Sequence, residues 1–283
     1  MPGFASVTLR TLAPVADPSA LVAADEVSHD VITTGPLKRL AALLDYAEVP
    51  WAPDILPPLA HWLFFLPDAR QSSLRLDGHP NLRGFMPPFA QSRRMWAGSR
   101  VTFAATLHIG QAIERRSSIA KVVDKGHMTF VTVRHEISAA GEVAVVEEQD
   151  LVYLEAQSSQ SSVTSRPLPV PGAATVRSVV ADETLLLRFS ALTFNAHRIH
   201  YDLPYAAGVE HYAGLVVHGP LIATLLLDHA LRVDRQAQVK TFEFKARAPI
   251  ICSERFHLCQ SGDSLWAQRD DGTVAMTAQI GFG

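Results

Sequence analysis

Polar and titratable side chains are concentrated in one short segment of the sequence, directly after an apolar stretch. Residues 195–202 contain asparagine, two histidines, arginine, tyrosine and aspartate, among them Asn195, His197 and His200. Histidine is the side chain best suited to exchange protons near neutral pH, so such a cluster can perform general acid–base chemistry. The alternative is a solvated loop in which the histidines only satisfy backbone groups. Because a turn does not require so many polar groups, we favour a site for proton transfer.

A second candidate element is the sequence His218-Gly219-Pro220, which opens a predicted helix over residues 220–231. Glycine permits close approach to the backbone, and the free N–H groups at a helix start carry partial positive charge. Gly219 is therefore a candidate for stabilising an oxyanion that develops during a reaction. Taken alone, glycine followed by proline is also a common way to begin a helix.

The elements that must position these residues begin with a helix, an irregular stretch and four strands. Residues 34–46 have a proline near their start and the apolar spacing of an amphipathic helix. Eight prolines punctuate the stretch from there to about Gly98, which predicts largely irregular structure. Four apolar runs separated by turn signals then predict an antiparallel sheet. They are residues 101–107, 113–123, 128–137 and 143–154.

The second part of the chain repeats this order of elements after a predicted linker. Residues 157–173 combine serine and glutamine with three prolines and show no periodicity, which is typical of a linker. The elements predicted beyond it are a strand at 184–194, the helix at 220–231, and strands at 238–248, 254–260, 265–268 and 273–280. Because helices and strands are segregated in each half, the pattern favours an α+β fold over a doubly wound parallel sheet.

Composition excludes several classes of function. The 283 residues include 25 Lys and Arg against 28 Asp and Glu, a net charge of −3 without basic runs, which argues against nucleic acid as a partner. A hydrophobic content of 48% with 19% charged residues is typical of a globular protein. We expect no signal peptide and no membrane association. Cys252 and Cys259 lack the spacing of a metal or redox site, and we expect a reducing, cytoplasmic compartment. Nor does the sequence contain a glycine-rich nucleotide-binding loop.

The histidine segment carries a specific resemblance. Residues 189–200, joined to His218 and Gly219, resemble the active-site signature of the MaoC-like, R-specific enoyl-CoA hydratases of the hot-dog fold, which reads Asp, any residue, Asn, two residues, His. The spacing matches at Asn195, His197 and His200. The whole chain resembles the two-domain branch of that superfamily, and the N-terminal half, including residues 93–98, is similar to its degenerate first domain.

The resemblance implies a double hot-dog, in which two antiparallel sheets each wrap a helix and join into one continuous sheet. On this basis we expect a degenerate N-terminal domain at 1–156, a linker at 157–173 and a catalytic domain at 174–283. It further implies a hydro-lyase that adds water to the double bond of an acyl-CoA and needs no cofactor or metal. The branch includes hydratases of itaconyl-CoA, mesaconyl-C4-CoA and 3-methylfumaryl-CoA.

The sequence departs from the broad motif at two positions. Asn195 stands where the family has aspartate, and His197 stands where it has asparagine. Because an amide does not transfer protons, the proton chemistry falls to His200, and Asn195 is expected to orient the water or the substrate carbonyl. Gly219 is expected to stabilise the enolate oxygen through backbone N–H groups.

Basic residues are candidates for holding CoA phosphates or a substrate carboxylate. Lys245 and Arg247 are predicted to share one face of a strand, while Arg93 and Arg94 precede the first predicted strand of the sheet. Arg198 lies inside the motif and, with His197, is the stronger candidate for substrate binding. Each of the other four is also compatible with a solvated surface charge.

Three functions stay open at this stage. The leading one is hydration of a short branched dicarboxylyl-CoA, such as itaconyl-CoA or mesaconyl-C4-CoA, to citramalyl-CoA. The second is a 3-hydroxyacyl-thioester dehydratase acting on acyl carrier protein or CoA esters. The third is a catalytically silent hot-dog subunit that binds an acyl thioester or a partner, motivated by Asn195. A homo-oligomer is a separate expectation. A thioesterase is disfavoured because its chemistry usually requires a carboxylate at that position.

Overall fold

A computed structural model describes residues 25–80, 93–126, 128–154, 172–234 and 237–283. The strands are β1 (Glu26–Val31), β2 (Arg93–Phe103), β3 (Ala112–Asp124), β4 (Met128–Ala139), β5 (Glu142–Leu154), β6 (Thr175–Val180), β7 (Val239–Ala246), β8 (Arg255–Ser261), β9 (Ser264–Arg269) and β10 (Val274–Phe282). The α-helices are α1 (Thr34–Leu43), α2 (Glu183–Thr193), α3 (Leu203–Gly208) and α4 (Gly219–Val233). Short 3-10 helices span Ala60–Leu63, Gln71–Ser73 and Arg198–His200.

All ten strands form one antiparallel sheet whose order is symmetric about its centre. The order is β1-β3-β4-β5-β2-β7-β10-β9-β8-β6, so the two outer edges and the two central strands are equivalent elements of the two halves. β2 and β7 pair from Gly98 opposite Lys245 to Thr102 opposite Thr241. The expected α+β architecture, two hot-dog sheets joined into one, is therefore confirmed.

Helix α4 is the element that the second sheet wraps, as the sequence predicts. Its residues Leu221, Ala223 and Leu226 are fully buried. It contacts β8, β9 and β10. An apolar stripe repeated every three to four residues must be covered on that side, and the concave face of the sheet covers it.

The largest error of the sequence analysis concerns residues 184–194, which form helix α2 and not a strand. Asp182 caps this helix, its carboxylate accepting a hydrogen bond from the Leu185 backbone N–H at 2.8 Å. Leu186 and Phe189, three residues apart, are buried, and Leu187 between them is exposed, which is the spacing of a helix. A short apolar run is compatible with either a strand or a helix. Here the aspartate cap is the sequence signal that distinguishes the two.

The other differences in the sheet are two missed strands and one shifted strand boundary. β1 and β6 were not predicted, and each is a six-residue edge strand with a single partner. β2 begins at Arg93, so Arg93 and Arg94 lie within the strand and do not precede it. Most of the predicted linker lies outside the described residues, and the proposed domain bounds stay a prediction.

A buried carboxylate organises the interior of the first half. Glu147 on β5 accepts hydrogen bonds from the His61 ring, the Trp62 indole and the Ser99 hydroxyl at 3.0, 2.9 and 2.7 Å. The short helix Ala60–Leu63 is thereby tied to strands β2 and β5. Burial alone would raise the pKa of Glu147, but the hydrogen bond and charge of His61, with His135 and Ser99, lower it to about 2.

Among the described residues, no helix is both long and apolar enough to cross a membrane.

Candidate active site

The histidine segment follows directly from the end of helix α2. Phe194 adopts a left-handed conformation with φ of 48° and ends the helix. The Asn195 side-chain oxygen then accepts a hydrogen bond from the His197 backbone N–H at 2.9 Å. This bond orients the Asn195 side chain in the turn and leaves its amide NH₂ as a donor for other groups.

His200 is buried at the end of the short helix Arg198–His200, and its orientation fixes its tautomer. Its Nδ1 lies 2.7 Å from the carbonyl oxygen of Val216. Because a carbonyl only accepts, Nδ1 carries the proton and Nε2 carries the lone pair. Nε2 has no hydrogen-bond partner among the residues that the structure describes. This is the arrangement of a general base.

His218 supports His200 from the side of helix α4. The two rings stack with their centroids 3.6 Å apart and their planes 19° apart. His218 Nε2 lies 2.8 Å from the hydroxyl of Ser190 on helix α2. Its Nδ1 is buried without a partner in the described part of the chain. The stack therefore connects the motif to the start of α4, one residue before Gly219.

The opposite side of the motif contacts a turn from the first half that the sequence analysis did not select. The His79 ring stacks on His197 with centroids 4.2 Å apart, and His79 Nδ1 is 3.4 Å from the Asp77 carboxylate. Gly78 between them has φ of +90°, and a Cβ there would lie 1.8 Å from the Ala196 carbonyl oxygen. The signal in the sequence that could have identified His79 is its position within the turn signature Asp77-Gly78-His79-Pro80.

Burial keeps these imidazoles uncharged. It lowers the pKa of His197 to about 2 and that of His200 to about 4. It also lowers the pKa of His218 well below its usual value, and it lowers the pKa of His79. The cluster therefore consists of neutral rings at pH 7, each with one nitrogen lone pair.

Asp77 is the ionised group of the cluster. Burial alone would raise its pKa, but the contacts of the carboxylate with the His79 ring and backbone N–H, together with Arg75, outweigh this and lower the pKa to about 2. At neutral pH a carboxylate therefore stands beside the His79 ring.

Gly219 begins helix α4 as predicted. The space where its side chain would be is open, since a Cβ there would meet nothing within 4 Å. Pro220 follows it and has no N–H, so the Gly219 N–H is the donor next to the histidine stack. The geometry fits an oxyanion beside the helix start.

The structure separates the predicted basic residues. Lys245 pairs with Glu243 at 2.8 Å and is exposed, while Phe242 and Phe244 of the same strand point into the core. Lys245 therefore lies on the outer face of the sheet, away from the helices. Arg247 is exposed beyond the end of β7. Neither is brought to the histidines: alternation along β7 turns Lys245 outward, and Arg247 lies past the end of the strand.

The predicted arginines within or near the motif have protein partners. Arg198 donates to Asp202 through Nε and Nη2 at 2.9 and 2.7 Å, and through Nη1 to the Leu76 carbonyl at 3.0 Å. Arg93 pairs with Glu210 and donates to the Tyr212 hydroxyl at 3.2 Å. Both guanidinium groups thus brace the protein around the site.

Arg94 differs from its neighbour. No carboxylate of the described residues pairs with it, and it is half-buried. It shares a face of β2 with Trp96, whose ring packs on Trp62 in the interior at 5.1 Å. Its positive charge is among the groups that lower the pKa of His79 and His197, after burial. Four of the predicted basic residues lie outside the motif: Arg93, Arg94, Lys245 and Arg247. Of these, Arg94 is the one available to a ligand near the histidines.

Comparison with known proteins agrees with this architecture. The sequence model of the family described as hydroxyacyl-thioester dehydratase type 2 matches residues 59–252. The chain belongs to this family, and with it to the MaoC-like hydratases and dehydratases. It is therefore a hydro-lyase.

Individual relatives agree with this assignment. The chain is 42% identical over 267 residues to the mesaconyl-C(4)-CoA hydratase of Chloroflexus aurantiacus, covering 92% of this chain and 95% of that protein. The mitochondrial hydroxyacyl-thioester dehydratase type 2 of Schizosaccharomyces pombe is 28% identical over 244 residues, covering 76% and 81%.

Solved structures share the fold at low sequence identity. A MaoC-like dehydratase from Phytophthora capsici superposes with a TM-score of 0.68 at 11% identity, covering 95% of this chain and 99% of that one. The HtdX protein of Mycobacterium tuberculosis gives a TM-score of 0.66 at 16% identity, covering 90% and 99%. These likenesses support the double hot-dog architecture.

Proposed function

We propose that the protein hydrates a short branched dicarboxylyl-CoA, with mesaconyl-C4-CoA as the preferred substrate and citramalyl-CoA as the product. The observation that carries the proposal is the His200 ring, whose Nδ1–H is held by the Val216 carbonyl at 2.7 Å while Nε2 is left as a base. The high identity to a protein named mesaconyl-C(4)-CoA hydratase supports the acyl group. Itaconyl-CoA is the related ester to compare.

In the proposed reaction His200 moves one proton. Its Nε2 takes a proton from water while the water oxygen bonds to the β-carbon of the conjugated thioester. The π electrons move to the thioester oxygen as an enolate, which the Gly219 N–H stabilises. The imidazolium then returns the same proton to the α-carbon, so one water has been added and the enzyme is unchanged. General acid–base steps of this type contribute about 10² to 10⁴ in rate.

The remaining site residues hold the reactants. The Asn195 amide NH₂ is assigned to the water oxygen or the substrate carbonyl, since its oxygen is held by His197. In mesaconyl-C4-CoA the free carboxylate is attached to the carbon that receives the hydroxyl group. Its partner must therefore lie close to the histidines, and we assign Arg94 to it because a guanidinium binds carboxylates in a fixed geometry. The reaction requires no cofactor other than the CoA of the substrate.

The deciding experiment is an assay of the purified protein on mesaconyl-C4-, itaconyl- and crotonyl-CoA, with products identified by mass spectrometry. We expect a mass increase of one water with the highest kcat/KM on mesaconyl-C4-CoA. A preference for crotonyl-CoA would overturn the dicarboxylyl assignment. Complete inactivity on all three esters would favour a non-catalytic thioester-binding subunit.

A second candidate is dehydration of 3-hydroxyacyl thioesters. It is favoured by the family match, which is described by that activity. The same residues would act in the reverse direction, with His200 removing the α-proton. Assays of 3-hydroxyacyl esters of CoA and of acyl carrier protein, over a series of chain lengths, separate the two functions.

A further inference from the structure

The turn at residues 75–79 is fixed onto the histidine motif by its backbone. The Arg198 backbone N–H donates to the Asp77 carbonyl at 2.9 Å. Gly78 is in contact with the Ala196 carbonyl and has no room for a side chain. The Asp77 carboxylate also accepts from the His79 backbone N–H at 2.9 Å, which closes the turn. A segment from the first half is thus held in place beside residues 195–200.

This attachment brings a carboxylate–histidine pair to the side of the motif that lacks a carboxylate. The amide of Asn195 has replaced the aspartate of the broader motif, and its oxygen is used by the backbone. His79 has its Nδ1 3.4 Å from Asp77, and its ring lies against His197. His197 in turn meets His200 edge to face at 5.4 Å. His197 therefore contacts both of the other imidazoles, and His79 is close enough for its charge to act on His200.

We propose that His79, supported by Asp77, is a second catalytic residue that accepts a hydrogen bond from the reacting water. This role rests on the proposed hydration reaction. The Asp77 carboxylate lies 3.4 Å from His79 Nδ1, a charge contact without hydrogen-bond geometry. A negative charge at this distance favours the tautomer with the proton on Nδ1, and this leaves the His79 Nε2 lone pair for the water.

In this arrangement water offers one O–H to each base. The proton given to His200 is returned to the α-carbon. The O–H held by His79 remains intact and becomes the hydroxyl group on the β-carbon. The pair from the first half thus performs the water-holding task for which position 195 has no carboxylate.

A purely structural role for His79 makes a different prediction. If the ring only fills space against His197, any flat ring of similar size preserves activity. If the ring accepts a hydrogen bond, activity depends on a hydrogen-bond acceptor at this position and not on the ring. Two variants separate these roles: His79→Phe keeps an aromatic ring without an acceptor, and His79→Gln keeps an amide oxygen without the ring.

The test measures kcat and KM of both variants on whichever of the three enoyl-CoA esters wild type hydrates fastest, with thermal unfolding as the control for folding. We expect His79→Phe to lose about a hundredfold in kcat with little change in KM, since misplacing a reactant is costly. His79→Gln should lose only about tenfold, because it can still hold water. Near-normal kcat in His79→Phe would overturn the proposal.

A third variant tests the tautomer and guards against loss of folding. Asp77→Asn keeps an oxygen for the turn, but its NH₂ donates towards His79 Nδ1, so Nε2 then carries the proton and no longer accepts. We expect Asp77→Asn to lose kcat as His79→Phe does, on every ester alike. An Asp77→Asn variant with wild-type kcat contradicts the proposal. A wild type that hydrates only crotonyl-CoA overturns the substrate assignment and leaves this test intact, whereas an inactive wild type overturns both.

Discussion

His200 and His218 lie face to face, with ring centroids 3.6 Å apart and planes 19° apart. Each ring donates or accepts on one outer edge, towards Val216 and Ser190 respectively. Protonating either ring would place a positive charge directly against a buried neighbour. The stack therefore favours a His200 that is neutral at rest and returns a proton quickly after accepting it.

Replacement of His200 by alanine should lower kcat by at least about a hundredfold, because it removes the proton acceptor of the reaction. The variant should remain folded, since His200 is not part of the apolar core around helix α4. Steady-state kinetics measure the first effect and circular dichroism the second. If turnover is near normal in a folded His200→Ala protein, His200 has only a structural role.

The substitution Asn195→Asp restores the carboxylate of the broader motif. Asp can keep the hydrogen bond to the His197 backbone N–H, so the turn should persist. Its negative charge favours the imidazolium form and raises the pKa of His200 from its depressed value of about 4. The acid limb of kcat/KM should move to higher pH in a partly active enzyme. An active variant with an unmoved acid limb would show that position 195 does not sense the base.

Arg94 should determine preference for a free carboxylate. The variant Arg94→Met keeps an apolar stem and removes the charge, so kcat/KM on mesaconyl-C4-CoA should fall by about a hundredfold while crotonyl-CoA is hydrated as before. The matched control is Lys245→Met, on the outer face of the sheet, which should leave both activities unchanged. Equal losses on both esters in Arg94→Met would assign Arg94 to another role.

Ser190 should stabilise the fold through His218. Ser190→Ala removes the hydrogen bond to His218 Nε2 and leaves both nitrogens of a fully buried ring without a partner. The expected cost is about 1–3 kcal/mol in the free energy of unfolding, the usual penalty of a buried unsatisfied group. Urea denaturation measures it. The control Ser178→Ala removes an exposed hydroxyl from its partner His257 and should cost far less. Equal effects of the two variants would contradict this account.

Glu147 should make stability depend on acid pH. Its pKa is lowered in the folded protein to about 2, so its contribution is present above the unfolded pKa near 4.5 and is lost as pH falls towards 2. The contribution is about 3 kcal/mol at neutral pH. Unfolding free energies of wild type and Glu147→Gln, measured from pH 7 down to pH 3, should converge as the pH falls. A constant difference across that range would refute the assignment.

The sequence predicted most of the sheet because alternation and turn residues are local signals. It missed β1 and β6, whose six residues pair with only one neighbour each. It misassigned α2 because an apolar run of that length fits either a strand or a helix. The motif histidines were found by spacing along one segment. His79 was not, because its contact with His197 is made between distant parts of the chain.

The basic residues show the same limit. Spacing placed Lys245 and Arg247 on a common side, but which side of the sheet faces the helices depends on the register between β2 and β7. That register is a long-range property. Arg93 and Arg94 differ through another long-range contact, since Glu210 holds Arg93 and does not hold Arg94.

The symmetric strand order has a consequence for how such a chain changes over time. Each half carries a long segment between its first helix and its next strand, at residues 44–92 and 194–238. One segment contributes the Asp77 turn and the other the motif histidines, so two equivalent positions of a repeat meet in a single site. The two copies are therefore no longer free to diverge independently. A gain or loss of length in either segment would shift its half of the site against the other. Sequence change in the repeat is therefore constrained where the two segments touch.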